Sequence, residues 1–184
     1  MSSSNDILDA AAELIKQRGV RRVQLSEIAR RAGVSRPTVY RRWPDVHAIV
    51  AALLTRQVQA IQADVPLDGA DRKRLVADIV ATAVRVRDDE LLGGLLLSDP
   101  DVLAEYTTQR LGSSQRGLLD RLRAAIIRGQ KAGTIRRGRA TELAAMVLLI
   151  TQSTVQSHRL VAPVLPDRAW RRELANALNG YLAP

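Results

Sequence analysis

The sequence has no cysteine and no phenylalanine, and its only histidines are His47 and His158. Without cysteine there is no disulfide and no thiol nucleophile, and two isolated histidines without an H-E-x-x-H pattern supply no metal cluster. No metal site and no cofactor is expected. The strongly apolar runs, Leu143 to Ile150 and Leu91 to Leu97, fall well short of the roughly 20 residues that a membrane-spanning helix needs. The start, MSSSNDILDAA, lacks the basic stretch and apolar core of a secretory signal, so a cytoplasmic protein is expected. Glycine is scattered: Gly93-Gly94, Gly129, Gly133 and Gly138 match no phosphate-binding loop. The acidic trio Asp88, Asp89 and Glu90 is no paired-carboxylate site either, because adjacent helix residues point in different directions. A helix cap or surface turn is its expected role. These absences leave no inventory for an enzyme.

What is present is a chain of 184 residues, long enough to bury a core, with 28 Lys+Arg against 19 Asp+Glu. The resulting net charge of +9 favours an anionic partner, nucleic acid first and an acidic membrane surface second. An arginine-rich composition throughout would give the same total, so the position of the arginines decides. Some fall on the proposed reading helix of Gln24 to Asp45, QLSEIARRAGVSRPTVYRRWPD, a segment that reads as two short helices joined by a tight turn. In the first, about Ser26 to Ala32, Leu25, Ile28, Ala29 and Ala32 repeat at helical spacing. Gly33 supplies the left-handed residue that a helix end favours. Ser35 can cap the second helix, and Pro37 sits in its first turn, where a missing N–H does no harm. That helix, about Arg36 to Trp43, turns Val39 and Trp43 inward and leaves Arg36, Thr38, Tyr40, Arg41 and Arg42 to solvent. Pro44 ends it. Such a pair is a helix-turn-helix, whose second helix suits the major groove of DNA.

The segment IARRAGVSRPTVYRRWPD resembles the signature of the TetR family of bacterial transcriptional regulators, with its Ile-Ala pair, Ala-Gly-Val-Ser turn and Tyr-x-x-aromatic recognition helix. The likeness runs from about Ile7 to Leu54. It implies an all-α protein with an N-terminal three-helix DNA-binding domain, residues 1–46, and a helical effector-binding and dimerisation domain, residues 47–184. It also implies a repressor that a small molecule releases from its operator. Two positions depart from the family: Val46 stands where a phosphate-contacting Lys is usual, and Gln24 where a capping Thr is usual.

Arginine can make a bidentate contact to guanine, and threonine can reach a base edge or a thymine methyl. Arg36, Thr38 and Arg41 are therefore candidates for base contact, and Ser35, Tyr40 and Arg42 for phosphate contact. The family's matching tyrosine commonly contacts phosphate. Pro37 can pack on a thymine methyl. A solvated helix surface is the plainer reading of any one arginine, and Trp43 is expected in the core.

The rest of the chain keeps helical periodicity. Helix 1 spans about Asn5 to Arg18, with Ile7, Leu8, Ala11, Leu14 and Ile15 as its buried stripe. A linking helix follows Asp45 to about Ala63, and DVPLDGA, residues 64–70, breaks the chain. Further helices are expected over Asp71 to Arg87, Pro100 to Arg110, Ser113 to Lys131, Thr141 to Leu160 and Asp167 to Leu182. The stripes of the last two either close the monomer core or pair with a second copy in a four-helix bundle. The family generally pairs through these helices, which favours a homodimer. Thr82, Tyr106, Gln152 and His158 could place polar groups in an effector cavity, and the aliphatic surroundings suit an apolar or amphipathic ligand. Two other readings remain open: a helical binding protein that has lost DNA recognition, and a small enzyme working through the C-terminal domain.

Overall fold

The computed structural model describes residues 4–67, 71–93 and 113–184, and within these there are helices and no strand. The expected helix Pro100 to Arg110 and the candidate Tyr106 lie outside the described residues, as does most of the apolar run that begins at Leu91. The chain divides into two packed units. The first contains residues 4–58 and 89–93, the second residues 59–67, 71–88 and 113–184.

In the first unit, α1 is Ser4–Arg18, α2 is Leu25–Arg31 and α3 is Arg36–Tyr40, and α4, Val46–Ala63, begins there. The apolar stripes of all four meet. Ile7, Ala11, Ile28, Val39, Ile49, Val50, Leu53 and Leu54 are fully buried. Local signals set the ends. Gly19 leaves α1 with φ 76°, and the side chain of Asp45 accepts from the Ala48 amide at 2.7 Å to start α4. A short 3-10 turn, Val20–Arg22, lies between α1 and α2, where periodicity gives no signal.

The second unit contains α5, Arg72–Asp88; α6, Ser113–Lys131; α7, Ala140–Val161; and α8, Asp167–Leu182. Asp71 caps α5 by accepting from the Arg74 amide at 3.2 Å. Helix α7 packs on α5, α6 and α8, and α8 also packs on α5. Their core is aliphatic around one aromatic, Trp170, with Leu75, Leu122, Ile126, Leu174, Leu178 and Leu182 buried about it. Arginines close helix ends here. Arg121 donates to the carbonyls of Gln62 and Val65 at 3.0 and 2.9 Å, where the favourable charge is positive.

The apolar run Leu143 to Ile150 splits between two faces. Leu143, Ala144, Val147 and Leu148 are buried, while Met146 is 44% and Leu149 59% exposed. The same outer side of the chain continues through Leu160 and Val164, more than four-fifths exposed.

One tight approach is decisive for packing. A methyl on Gly129 would lie 2.5 Å from Cδ1 and 2.7 Å from Cγ1 of Ile135, a residue only 3% exposed. Gly→Ala in a helix normally stabilises by about 1 kcal/mol. Here Gly129→Ala is expected to destabilise by about 1–3 kcal/mol, because the isoleucine has nowhere to go. The shift of the urea midpoint checks it.

Candidate nucleic-acid interface

The turn between α2 and α3 is built by backbone geometry. The Ala32 amide donates to Ile28 O at 2.9 Å, and the Val34 amide to Ala29 O at 3.0 Å. Gly33 takes φ 66° in open space, so its conformation and not crowding calls for glycine. Ser35 caps α3. Its Oγ accepts from the Thr38 amide at 3.4 Å and lies 2.8 Å from Thr38 Oγ1. Pro37 occupies the first turn. Helix α3 ends at Tyr40, sooner than the expected Trp43. The Arg41 amide still donates to Pro37 O and the Trp43 amide to Val39 O, but the chain must turn away before Pro44. Val39 is fully buried and Trp43 half-buried, less than a core tryptophan would be.

Arg36, Pro37, Tyr40, Arg41 and Arg42 are exposed and Thr38 is half-exposed, so α3 presents all of them beside the Ser35 cap. Arg42 Nη1 also donates to Ser4 Oγ at 2.7 Å, which ties the start of α1 to the end of the reading helix. Gln24 was the poorer cap by its own side chain. Glu27 supports it, its Oε2 accepting from the Gln24 amide at 3.3 Å while Oε1 pairs with Arg18 Nη1 at 3.0 Å.

The charge of this unit is sorted. Between Glu13 and Asp45 the sequence holds one carboxylate, Glu27, against Lys16, Arg18, Arg21, Arg22, Arg30, Arg31, Arg36, Arg41 and Arg42. Lys16 pairs with Glu90, Arg18 with Glu27 and Arg31 with Glu13, and on α4 Arg56 pairs with Asp9. Among the described residues no carboxylate pairs with Arg22, Arg30, Arg36 or Arg41. Carboxylates instead gather on α1, where Asp6, Asp9, Glu13 and Arg31 line an open groove of about 470 Å³.

The proposed effector residues of the second unit take separate partners. Thr82 Oγ1 donates to Asp78 O at 2.9 Å within its own helix, and Gln152 Oε1 accepts from Gln115 Nε2 at 2.9 Å. His158 is buried against Trp170, ring centroids 5.4 Å apart and nearly perpendicular, with its Nε2 3.3 Å from Asp167 Oδ1 but without hydrogen-bond alignment. Over the same indole lies the Arg87 guanidinium, 4.8 Å from the ring centre. Arg87 donates to Asp88 at 2.7 Å and to Asp167 at 3.0 Å, joining the end of α5 to the start of α8. Sequence reading missed this cluster, because Arg87 lies 80 positions from Asp167 and further still from Trp170.

The acidic trio divides as adjacent helix residues should. Asp88 pairs with Arg87, Asp89 Oδ1 accepts from the Leu91 and Leu92 amides at 3.0 Å, and Glu90 meets Lys16. The hydrogen bond from Arg87, helped by the charges of Arg87, Arg171 and His158 and opposed by burial, holds the Asp88 carboxyl below the usual aspartate range. A lowered native pKa stabilises above the unfolded value and is lost as pH falls through the native one. Asp88→Asn is therefore expected to lower stability at pH 7 by at most about 1 kcal/mol, since half of the carboxylate faces water. The difference should close below about pH 4 in urea titrations at several pH values.

Helix, turn and basic reading helix together define a helix-turn-helix transcriptional regulator. Residues 7–53 match the family described as bacterial regulatory proteins, tetR family. An HTH-type transcriptional regulator of Mycobacterium bovis is 50% identical over 189 aligned positions, covering 99% of each chain. The chain belongs to the tetR family, and its relatives are regulators and not enzymes. Solved structures share the fold. FadR of Bacillus subtilis in complex with stearoyl-CoA superposes with a TM-score of 0.67 at 19% identity, over 98% of this chain and all of that one. The SmeT–triclosan complex gives 0.66 at 24%, over 98% and 91%.

Proposed function

We propose that the protein is a homodimeric, cytoplasmic repressor that reads its operator through α3 and is released by an apolar or amphipathic small molecule. Arg36, Thr38 and Arg41 are assigned to base edges, Pro37 to a thymine methyl, and Ser35, Tyr40 and Arg42 to phosphates. The observation that carries this reading is the pairing pattern: Arg36 and Arg41 stand exposed on the helix that this family uses for DNA, with no carboxylate on them among the described residues. Thr38 must give up its contact with Ser35 to serve, which costs little because hydroxyls rotate freely.

The second unit is assigned the effector and the dimer contact, with residues 1–46 as the reading domain and 47–184 as the remainder. Met146, Leu149 and Leu160 leave apolar side chains of α7 uncovered, with exposed Val164 in the turn that follows, as pairing through α7 and α8 requires. SmeT and FadR, whose complexes hold triclosan and stearoyl-CoA, lend weight to an apolar ligand. Thr82, Gln152 and His158 each have internal partners, so a ligand would have to displace these contacts to use them. Whatever the inducer, it must bind the DNA-incompetent arrangement more tightly, or it shifts nothing.

The test is fluorescence anisotropy on the DNA immediately upstream of the coding sequence, at physiological salt, with excess unrelated duplex as competitor. Retained binding supports the reading, and the same assay then screens for releasing ligands. If neither this duplex nor any selected from random DNA survives competition, the reading fails. Sedimentation at micromolar concentration should give a dimer, and a monomer would remove that part.

A further inference from the structure

We propose that Arg22 and Arg30 form a second, sequence-independent grip on the DNA backbone, beside the recognition helix. The inference rests on the DNA-binding reading above and names further residues for it. Arg22 ends the 3-10 turn Val20–Arg22. Val20 and Val23, 4% and 5% exposed, hold the two sides of that turn in the core, so the arginine between them must face out. Arg30 lies on α2, four residues after Ser26 and hence on the same face. The neighbouring face is occupied: Glu27 is held by Arg18 and Arg31 by Glu13, both toward α1. One residue along a helix turns the side chain by about 100°, so Arg30 is directed away from that edge while Arg31 is committed to it.

Arg22 and Arg30 are both exposed, and neither meets a carboxylate among the described residues. Helix α2 packs directly on α3, so Arg30 is carried by the element that supports the reading helix. Arg22 and Arg30 thus offer a phosphate backbone bound along α3 two exposed guanidiniums that no carboxylate occupies among the described residues. Contacts of this kind would position the reading helix without reading bases. They would also offset the absence of a lysine at Val46.

The experiment compares the full-length parent with Arg22→Ala/Arg30→Ala on a labelled duplex of about 30 base pairs, some three helical turns, taken from upstream of the coding sequence, and on a scrambled duplex of the same composition. Affinity is measured against KCl concentration. Each lost phosphate contact lowers the slope of log K against log salt by about 0.9, so the double variant, which loses two contacts in each protomer of the proposed dimer, should lose about 3.6 units on both duplexes. The ratio of the two affinities should not change, since no base is read. Arg22→Lys/Arg30→Lys should keep the slope, because a point charge serves a phosphate. A control that removes the same charge from α6, Arg123→Ala/Lys131→Ala, should leave the slope as it was; both side chains are exposed. Circular dichroism checks that each variant is folded.

A slope within about half a unit of the parent overturns the inference while leaving the reading of α3 intact. So does an equal loss in the α6 control, which would make the effect one of net charge alone. A changed ratio between the duplexes overturns it too, since the residues would then read sequence. A parent whose binding does not depend on salt sinks both the inference and the reading it rests on.

Discussion

Arg36→Ala and Arg41→Ala should each weaken operator binding by about 1–3 kcal/mol for each protomer's contact, roughly five- to 150-fold per half-site, and each should relax preference at the base that the side chain reads. The reason is geometric. A guanidinium can donate two parallel hydrogen bonds to the O6 and N7 edge of guanine, and both side chains are exposed, Arg36 on α3 and Arg41 at its C-cap, with no carboxylate among the described residues to release first. Arg36 and Arg41 are five positions apart and do not share a helix face, so the double variant should show nearly the sum of the two losses. Arg41→Lys separates charge from readout: the positive charge stays and the fork is lost. Overall affinity should fall less than for Arg41→Ala, but discrimination among single-base variants of the operator should fall as far. Anisotropy on that duplex set measures both. If Arg41→Lys retains full discrimination, Arg41 touches phosphate and the base contact must be reassigned. Arg42 provides an internal contrast. Its guanidinium already binds Ser4, so Arg42→Ala should lose affinity across all sequences equally.

The second large effect is expected in the other unit. Trp170→Ala should destabilise by about 3–5 kcal/mol. The indole is 2% exposed and fills the core where α5, α7 and α8 meet, and it carries Arg87 on its face and His158 at its edge. Truncation leaves a cavity and strips a buried guanidinium of its aromatic surface, a contact of about 0.5–2 kcal/mol that the cavity figure already includes in part. Trp170→Phe is the informative partner. Phenylalanine keeps a ring for Arg87 and His158, and it removes an indole N–H that is buried without a hydrogen-bond acceptor. Losing that donor relieves an unmet group, so the net change should be about 1 kcal/mol from volume alone. Urea unfolding at one fixed protein concentration checks the pair, fixed because a dimer's stability depends on concentration. Equal losses for the two variants would mean that a phenyl ring cannot stand in for the indole, whose full size and shape the core then requires.

Much of this was legible in the residue order, and the legible parts share a cause. Helix ends are set by short-range chemistry. Gly19, Gly33 and Asp45 act on backbone groups within four residues of themselves, as Ser35 and Asp71 do. The six long helices among the described residues accordingly begin and end within a residue of where periodicity and caps place them, from α1 at Ser4–Arg18 to α8 at Asp167–Leu182. The exposed side of α3 could be read for the same reason from Val39 and Trp43, expected inward, although only Val39 is fully buried and Trp43 is half-buried. The early end of α3 at Tyr40 was not legible, because Pro44 acts on its neighbours through a turn that no periodicity describes.

By itself, then, the amino-acid order determined an all-α chain, its caps and turns, and a reading helix with an excess of arginine. Only the tertiary structure decided which charges are already used. Arg31 and Arg30 are adjacent and identical, yet packing of α1 against α2 brings Glu13 to one of them and, among the described residues, no carboxylate to the other. Arg87 and His158 likewise acquire their roles from Asp167 and Trp170, on a helix that sequence separation hides. Caps act through bonds a few residues long, whereas an ion pair across helices exists only once the helices have packed, and that packing is a property of the whole core.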